Sequence, residues 1–274
     1  MNDVFFHDDN SLKKNVIKYI ICLIPLYCYG IYKNGIVLYM KDLISFFSIF
    51  KLLLFLFGGL IIYVITNIIL KKKINFDLLF LSLFVIPLFL PFNTNIFLYL
   101  ILMFIFLLFR KYYNLALIIL IFSSFGNFVN LGESLGIYSF NVWDLLCGRN
   151  ISGLGSSSII LGFIIMISLN FTNNYKLSIS LSGLIIFFIL AIIFREYSFL
   201  VNGNAILSLI FIAPWSNLSP MERNTKIIYG FIIGILGFIF MCFFNVYYGM
   251  ILSISIISVI YQLNLKFKFL KKIS

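Results

Sequence analysis

Ten apolar runs, separated by short charged or turn-forming interruptions, dominate the chain at 17–31, 44–70, 78–90, 96–109, 113–125, 157–170, 177–194, 203–213, 227–245 and 248–262. In hydrocarbon a backbone must satisfy its own hydrogen bonds, so runs of this kind cross a bilayer as helices of about 20 residues. Several runs are shorter than that and predict half-spanning, broken or fused helices. A soluble fold is excluded: 62% of the residues are hydrophobic and 11% charged, against about half and a quarter in soluble domains. The expected fold is all-α, a polytopic membrane protein of about ten transmembrane helices.

The formal charge of +11 would suit nucleic acid on a soluble protein. Here the basic residues sit in short clusters between apolar runs, where they set topology and meet anionic lipid headgroups. With the N-terminus inside, fifteen fall on the cytoplasmic side: Lys13, Lys14, Lys18, Lys71, Lys72, Lys73, Arg110, Lys111, Lys176, Arg223, Lys226, Lys266, Lys268, Lys271 and Lys272. Only Lys33, Lys41, Arg149 and Arg195 fall in outer loops, and Lys51 lies near a membrane boundary. The bias predicts an inner (plasma) membrane protein with both termini cytoplasmic. Its parts are a cytoplasmic tail at 1–16, a membrane domain at 17–262 and a basic cytoplasmic tail at 263–274. A Gly- and Ser-rich outer loop, 126–156, separates halves 17–125 and 157–262. Five crossings per half would leave the two halves inverted relative to each other, an arrangement that places binding sites where they meet.

Chain-borne catalysis has little support. The one histidine, His7, lies in the polar N-terminal tail, and no metal, nucleotide or nucleophile motif is present. No acidic residue is central in a run, so no carboxylate relay crosses the membrane. Cys22, Cys28, Cys147 and Cys242 lack CxxC spacing and read as buried apolar thiols rather than a zinc site or disulfide framework. Pro87 and Pro91 bracket a helix break before the polar turn Asn93-Thr94-Asn95.

An ordered series of features runs through the second half. Trp143-Asp144-Leu145-Leu146-Cys147-Gly148 is followed by Gly153-Leu154-Gly155-Ser156-Ser157-Ser158 and an apolar run containing Gly162. Then come Ser219-Pro220, Lys226, Tyr229-Gly230 and Gly234. With Pro87 to Pro91 and Asn114-Leu115-Ala116 further back, the series resembles the D subunit of Rnf-type electron transport complexes. The related B subunit of the sodium-pumping NADH:quinone reductase shares it. The resemblance covers about residues 17 to 262. It implies a membrane subunit of an ion-translocating electron transport complex, a flavoprotein with FMN, that works with other membrane subunits in the lipid bilayer and is non-catalytic alone.

The same resemblance points to cofactor-binding candidates. The family attaches FMN to the last Thr of a Ser/Thr-Gly-Ala-Thr motif, where this chain reads Leu131-Gly132-Glu133-Ser134. Ser134 and Gly132 are therefore candidates, with Gly153, Gly155 and Ser156 as further contacts. Backbone at a glycine can approach a flat cofactor, and a serine hydroxyl supplies a hydrogen bond in a dry setting. Packing by small residues is the competing reading for the Gly153 to Ser158 stretch. Glu133 in place of Ala predicts a flavin held without a phosphoester. In the family's Thr-Asp-Pro the acidic residue corresponds here roughly to Trp215. Two other readings compete: a small-solute transporter or channel, which the inverted plan would suit, and an enzyme like prolipoprotein diacylglyceryl transferase. The latter rests on Gly126-Asn127-Phe128-Val129-Asn130, Glu133 and Gly136, and lacks that family's Arg and His-Gly-Gly.

Overall fold

A computed structural model describes residues 9–73, 77–109, 114–126, 142–148, 150, 152–171, 175–215 and 219–273, with side chains over 13–263. Each of the ten apolar runs is a helix. They are α1 (Asp9–Ile31), α2 (Lys51–Ile69), α3 (Leu78–Phe89), α4 (Ile96–Leu108), α5 (Leu115–Ser124), α6 (Ile159–Asn170), α7 (Leu177–Ile193), α8 (Gly203–Phe211), α9 (Arg223–Phe243) and α10 (Gly249–Ile273). Three are long and apolar enough to cross a membrane: 13–39, 51–69 and 223–243. Of the others, α10 is apolar only over 249–263 and the rest have 17 residues or fewer, α8 being nine, or about 14 Å at 1.5 Å per residue.

Helix ends inside an apolar setting need partners for their free N–H groups. Short polar residues at the boundaries supply them. Asp77, Asn95, Asn114, Ser158 and Asn202 each accept from a first-turn amide of α3, α4, α5, α6 and α8. These are the residue types that cap best.

Most of the packing scheme repeats, the extensive α9–α10 contact having no equal between α4 and α5. In the first half α1 packs on α3, α2 on α3, α2 on α4 and α3 on α5; in the second α6 packs on α8, α7 on α8, α7 on α9 and α8 on α10. Between the halves, α1 packs on α6 and α5 on α10. Each of these two cross-pairs joins helices of the same rank, the pattern a two-fold relation produces. The equivalent helices α3 and α8 are also the most enclosed: every residue of α8 is buried, and so is nearly every residue of α3 from Leu81 onward. Lysines repeat the scheme as well. Lys51 Nζ at the start of α2 donates to Phe92 O just after α3, and Lys176 Nζ at the start of α7 donates to Ser219 O and Oγ, each at 2.8 Å, just after α8. Burial first, and the Lys226 ammonium second, lower the Lys176 pKa to about 8.

The outward faces of the long helices are apolar. Ile17, Ile21 and Ile24 on α1, and Ile61, Ile65 and Ile68 on α2, are exposed, a stripe for lipid rather than water. Close crossings depend on small residues, as in other membrane helix pairs. A Cβ on Gly230 of α9 would stand 2.5 Å from Ile179 O of α7, and one on Gly234 would stand 2.7 Å from Gly183 O.

Three sequence expectations need correction. The run 44–70 is divided at Phe50: a short helix, Phe46–Ile49, precedes α2, with Ser45 extended ahead of it. Lys33 is in no outer loop. α1 continues through a π-helical turn, Tyr32–Ile36, which buries Lys33 to 5% exposure. The cysteines are not a buried set: all four are free thiols, Cys22 half-buried and Cys28, Cys147 and Cys242 exposed. A small apolar side chain gains as much against lipid as in a protein core, so hydrophobicity in a membrane chain does not predict burial.

Candidate functional site

The end of α3 makes the seam between the halves. Pro87 lies in its last turn and Pro91 just beyond, and the helix stops at Phe89. Its last carbonyls then have no helical partners. Residues 153–156, which bend at Leu154 and Gly155 alongside the helix end, provide them. Leu154 N donates to Leu90 O at 2.8 Å, and Gly155 N and Ser156 N donate to Leu88 O at 2.9 and 3.0 Å. The C-terminal part of the stretch read from sequence as an outer loop is thus buried, with Gly153 through Ser158 all enclosed.

From this segment a polar network spreads into both halves. Ser156 Oγ accepts from Gly153 N at 2.9 Å and donates to Asn204 Oδ1 of α8 at 2.6 Å. Asn204 Nδ2 donates to Tyr247 O at 3.0 Å, and Asn202 Nδ2 to Val246 O at 2.9 Å. Asn150 Nδ2 donates to Leu145 O and Ser157 O, both at 2.9 Å. From the first half, Asn34 Nδ2 reaches Leu154 O at 2.7 Å and Lys33 Nζ reaches Asn150 O at 2.9 Å and Ser152 Oγ at 3.3 Å.

Of the sequence candidates, Gly153, Gly155 and Ser156 come together here. They face protein. A Cβ on Gly153 would lie 2.7 Å from Leu88 O and from the Phe89 carbonyl carbon, and one on Gly155 would collide with the Leu88 side chain. Both hydrogen-bonding roles of the Ser156 hydroxyl are taken. Gly153 and Gly155 thus pack on the end of α3, and Ser156 bonds the segment to α8. Gly132 and Ser134 lie outside the described residues. Sequence reading missed Lys33, Asn34, Asn150, Asn202 and Asn204. The signal available was a set of amide and amine side chains flanking apolar runs, in a medium where each needs a partner.

Other motif residues join helices. Asn114 caps α5 and donates from Nδ2 to Ser258 Oγ of α10 at 2.9 Å. Ser219 receives Lys176, and its hydroxyl donates to the carbonyl of the buried Trp215 at 2.8 Å. Tyr229 stands edge-on to Tyr261, 6.1 Å between ring centres, while Gly230 and Gly234 admit α7. Among the described residues, no group of three His, Cys, Asp or Glu side chains is placed to hold a metal ion.

A family model described as the NQR2, RnfD, RnfE family matches residues 115–263, more than half of the chain. The chain belongs to this family. The match runs from the start of α5 to the apolar part of α10, so it begins at Leu115, one residue after Asn114, and takes in the whole second half. The NQR2, RnfD, RnfE family membership makes the chain a membrane subunit of the Rnf/Nqr kind. No curated protein matches it.

Proposed function

We propose that the chain is the D-type subunit of an ion-translocating electron transport complex, in which it positions flavin or neighbouring subunits for electron transfer. The family match over 115–263 carries this reading. The residues that bear the resemblance support it, since they hold helices together: a cap at Asn114 that also bonds Ser258, an anchor at Ser219 and the α9 face at Tyr229, Gly230 and Gly234. The repeated packing scheme supports inverted halves, 17–125 and 157–262, and the distribution of basic residues supports cytoplasmic termini in the inner membrane. In such a role the cofactor supplies the redox chemistry and the protein supplies position and electrostatics.

Native extraction tests the reading. The chain is expected to co-purify from mildly solubilised membranes with other integral membrane subunits, and to show no turnover alone. Quinone reduction or nicotinamide oxidation by the isolated chain at rates typical of enzymes, on the order of 10 per second, would overturn it.

FMN, where the complex holds it against this chain, is held without a phosphoester. Ser134 offers a hydroxyl and Gly132 the freedom for a tight turn. Glu133 between them places a carboxylate beside the phosphate, a repulsion of roughly 1 to 3 kcal/mol at 5 Å for effective dielectrics between 80 and 20. Denatured protein on a gel is therefore expected to show no flavin fluorescence. A bright band that Ser134→Ala removes would restore the covalent assignment.

A further inference from the structure

The connection between α1 and α2 is larger than the fold requires. In the repeated scheme it corresponds to the one between α6 and α7, which takes only residues 171–176. Here α1 runs on through the π-helical turn to Tyr39, and residues 40–50 then carry the extra helix Phe46–Ile49. That helix is seated by its inner face. Ile49 is buried, and its carbonyl oxygen comes so near Gly35 of the π-turn that a Cβ there would stand 2.8 Å from it. The outer face is aromatic. Phe46 meets Tyr39, Phe47 and Phe50 edge-on, at 6.0, 6.1 and 5.8 Å between ring centres, yet all four side chains are exposed, Phe47 to 80%. Rings packed on one another and left uncovered mark a surface built to meet something.

Depth and continuity say what. α2 has 19 residues, about 28 Å at 1.5 Å per residue, so it just spans a hydrocarbon core about 30 Å thick. Its first residue, Lys51, therefore stands at one boundary. The Lys51 ammonium turns inward, to Phe92 O and to the face of the Phe92 ring, 4.9 Å from its centre, which removes its charge from the outward face. Phe47, Phe50, Leu54 and Phe57, three or four residues apart and all exposed, then run without interruption into the lipid-facing stripe at Ile61, Ile65 and Ile68. We propose that Tyr39, Phe46, Phe47 and Phe50 form an aromatic collar seated in lipid, at the boundary between headgroups and acyl chains of one leaflet, and that it fixes the depth of the first half in the bilayer. Aromatic rings concentrate at this level of a membrane. The exposed Lys41 and Asp42 of the same connection supply its wet rim. The inference rests on the fold, not on the electron-transfer reading, and its test reads depth rather than turnover.

The test is tryptophan fluorescence of the full chain in phosphatidylcholine vesicles whose acyl chains carry bromine, a contact quencher, either near the carboxyl end or near the methyl end. Phe47→Trp reports the collar, and Ile61→Trp, close to the middle of α2, reports the bilayer centre. In each case the emission of the parent chain, which has Trp143 and Trp215, is subtracted. Phe47→Trp is expected to lose roughly half of its added emission to the shallow bromines and less to the deep ones, as for an apolar face about 5 to 10 Å into the boundary. Ile61→Trp is expected to show the reverse order. Should Phe47→Trp fail to insert, Met40→Trp, 75% exposed just beyond α1, reads the same level with the same expected order. A collar tryptophan that neither lipid quenches, or that follows the deep order of Ile61→Trp, overturns the proposal. Shallow quenching present in the chain alone but lost in the assembly extracted from native membranes also overturns it, since the collar would then belong to a protein partner; quenching retained there supports the lipid.

Discussion

Gly153→Ala is expected to cost the folded chain about 3 kcal/mol, the upper part of the range for overpacking a close-packed interior. The added methyl would meet Leu88 O at 2.7 Å, the Phe89 carbonyl carbon at 2.7 Å and Phe89 Cα at 2.8 Å. All three are backbone atoms at the end of a helix that Pro87 and Pro91 already fix. Relief requires the 153–156 segment to retreat, which breaks its bonds to Leu88 O and Leu90 O and returns those carbonyls to an apolar setting without partners. Gly58→Ala is the control. Its methyl would touch Leu100 Cδ2 at 2.8 Å, the free end of a side chain that can turn aside, and alanine is the better helix former by about 1 kcal/mol. That variant is expected to melt at or above the wild-type midpoint. The comparison is thermal unfolding of both variants in one detergent; similar losses at the two positions would show that the seam is no tighter than an ordinary helix contact.

The ten helices were legible in the sequence because hydropathy responds to the bilayer, and every apolar run but 44–70, which divides at Phe50, became one helix. Pro87 and Pro91 announced the break at the end of α3, since a missing N–H and a fixed φ leave little choice there. What fills the break was not legible. Nothing local in Gly153-Leu154-Gly155-Ser156 says that its amides complete a helix more than sixty residues earlier in the chain, because that pairing is a property of the tertiary fold. Lys33 misled for a related reason. In a count of charges between runs a lysine marks a loop, and only the π-turn, which periodicity does not register, carries it inside. The family resemblance reached the right family, and in the fold its residues cap, anchor and allow close approach.

Asn204→Leu is expected to destabilise the chain by about 2 kcal/mol or more, because it takes the acceptor from the buried Ser156 hydroxyl, at roughly 1 to 3 kcal/mol, and the amide donor from the half-buried Tyr247 carbonyl. Tyr247 O loses the amide donor at 3.0 Å, and Ser156 Oγ loses the acceptor at 2.6 Å. Asn204 and Ser156 are both buried, so water cannot take over the bond between them. Ser156→Ala should cost less, since it deprives Asn204 Oδ1 and Gly153 N of one bond each and leaves the Tyr247 contact intact. The two losses should not add. Both single variants remove the same serine–asparagine bond, so the double variant is expected to be more stable than the sum of the singles predicts, by about 1 to 2 kcal/mol, within the range for contacting residues. Ser156 belongs to the segment seated on the end of α3, and Asn204 begins α8, so that coupling is a direct reading of how firmly the two enclosed helices are held to one another. Additive losses, within about 0.3 kcal/mol, would mean that the hydroxyl and the amide act separately and that the seam is joined by the backbone bonds to α3 alone.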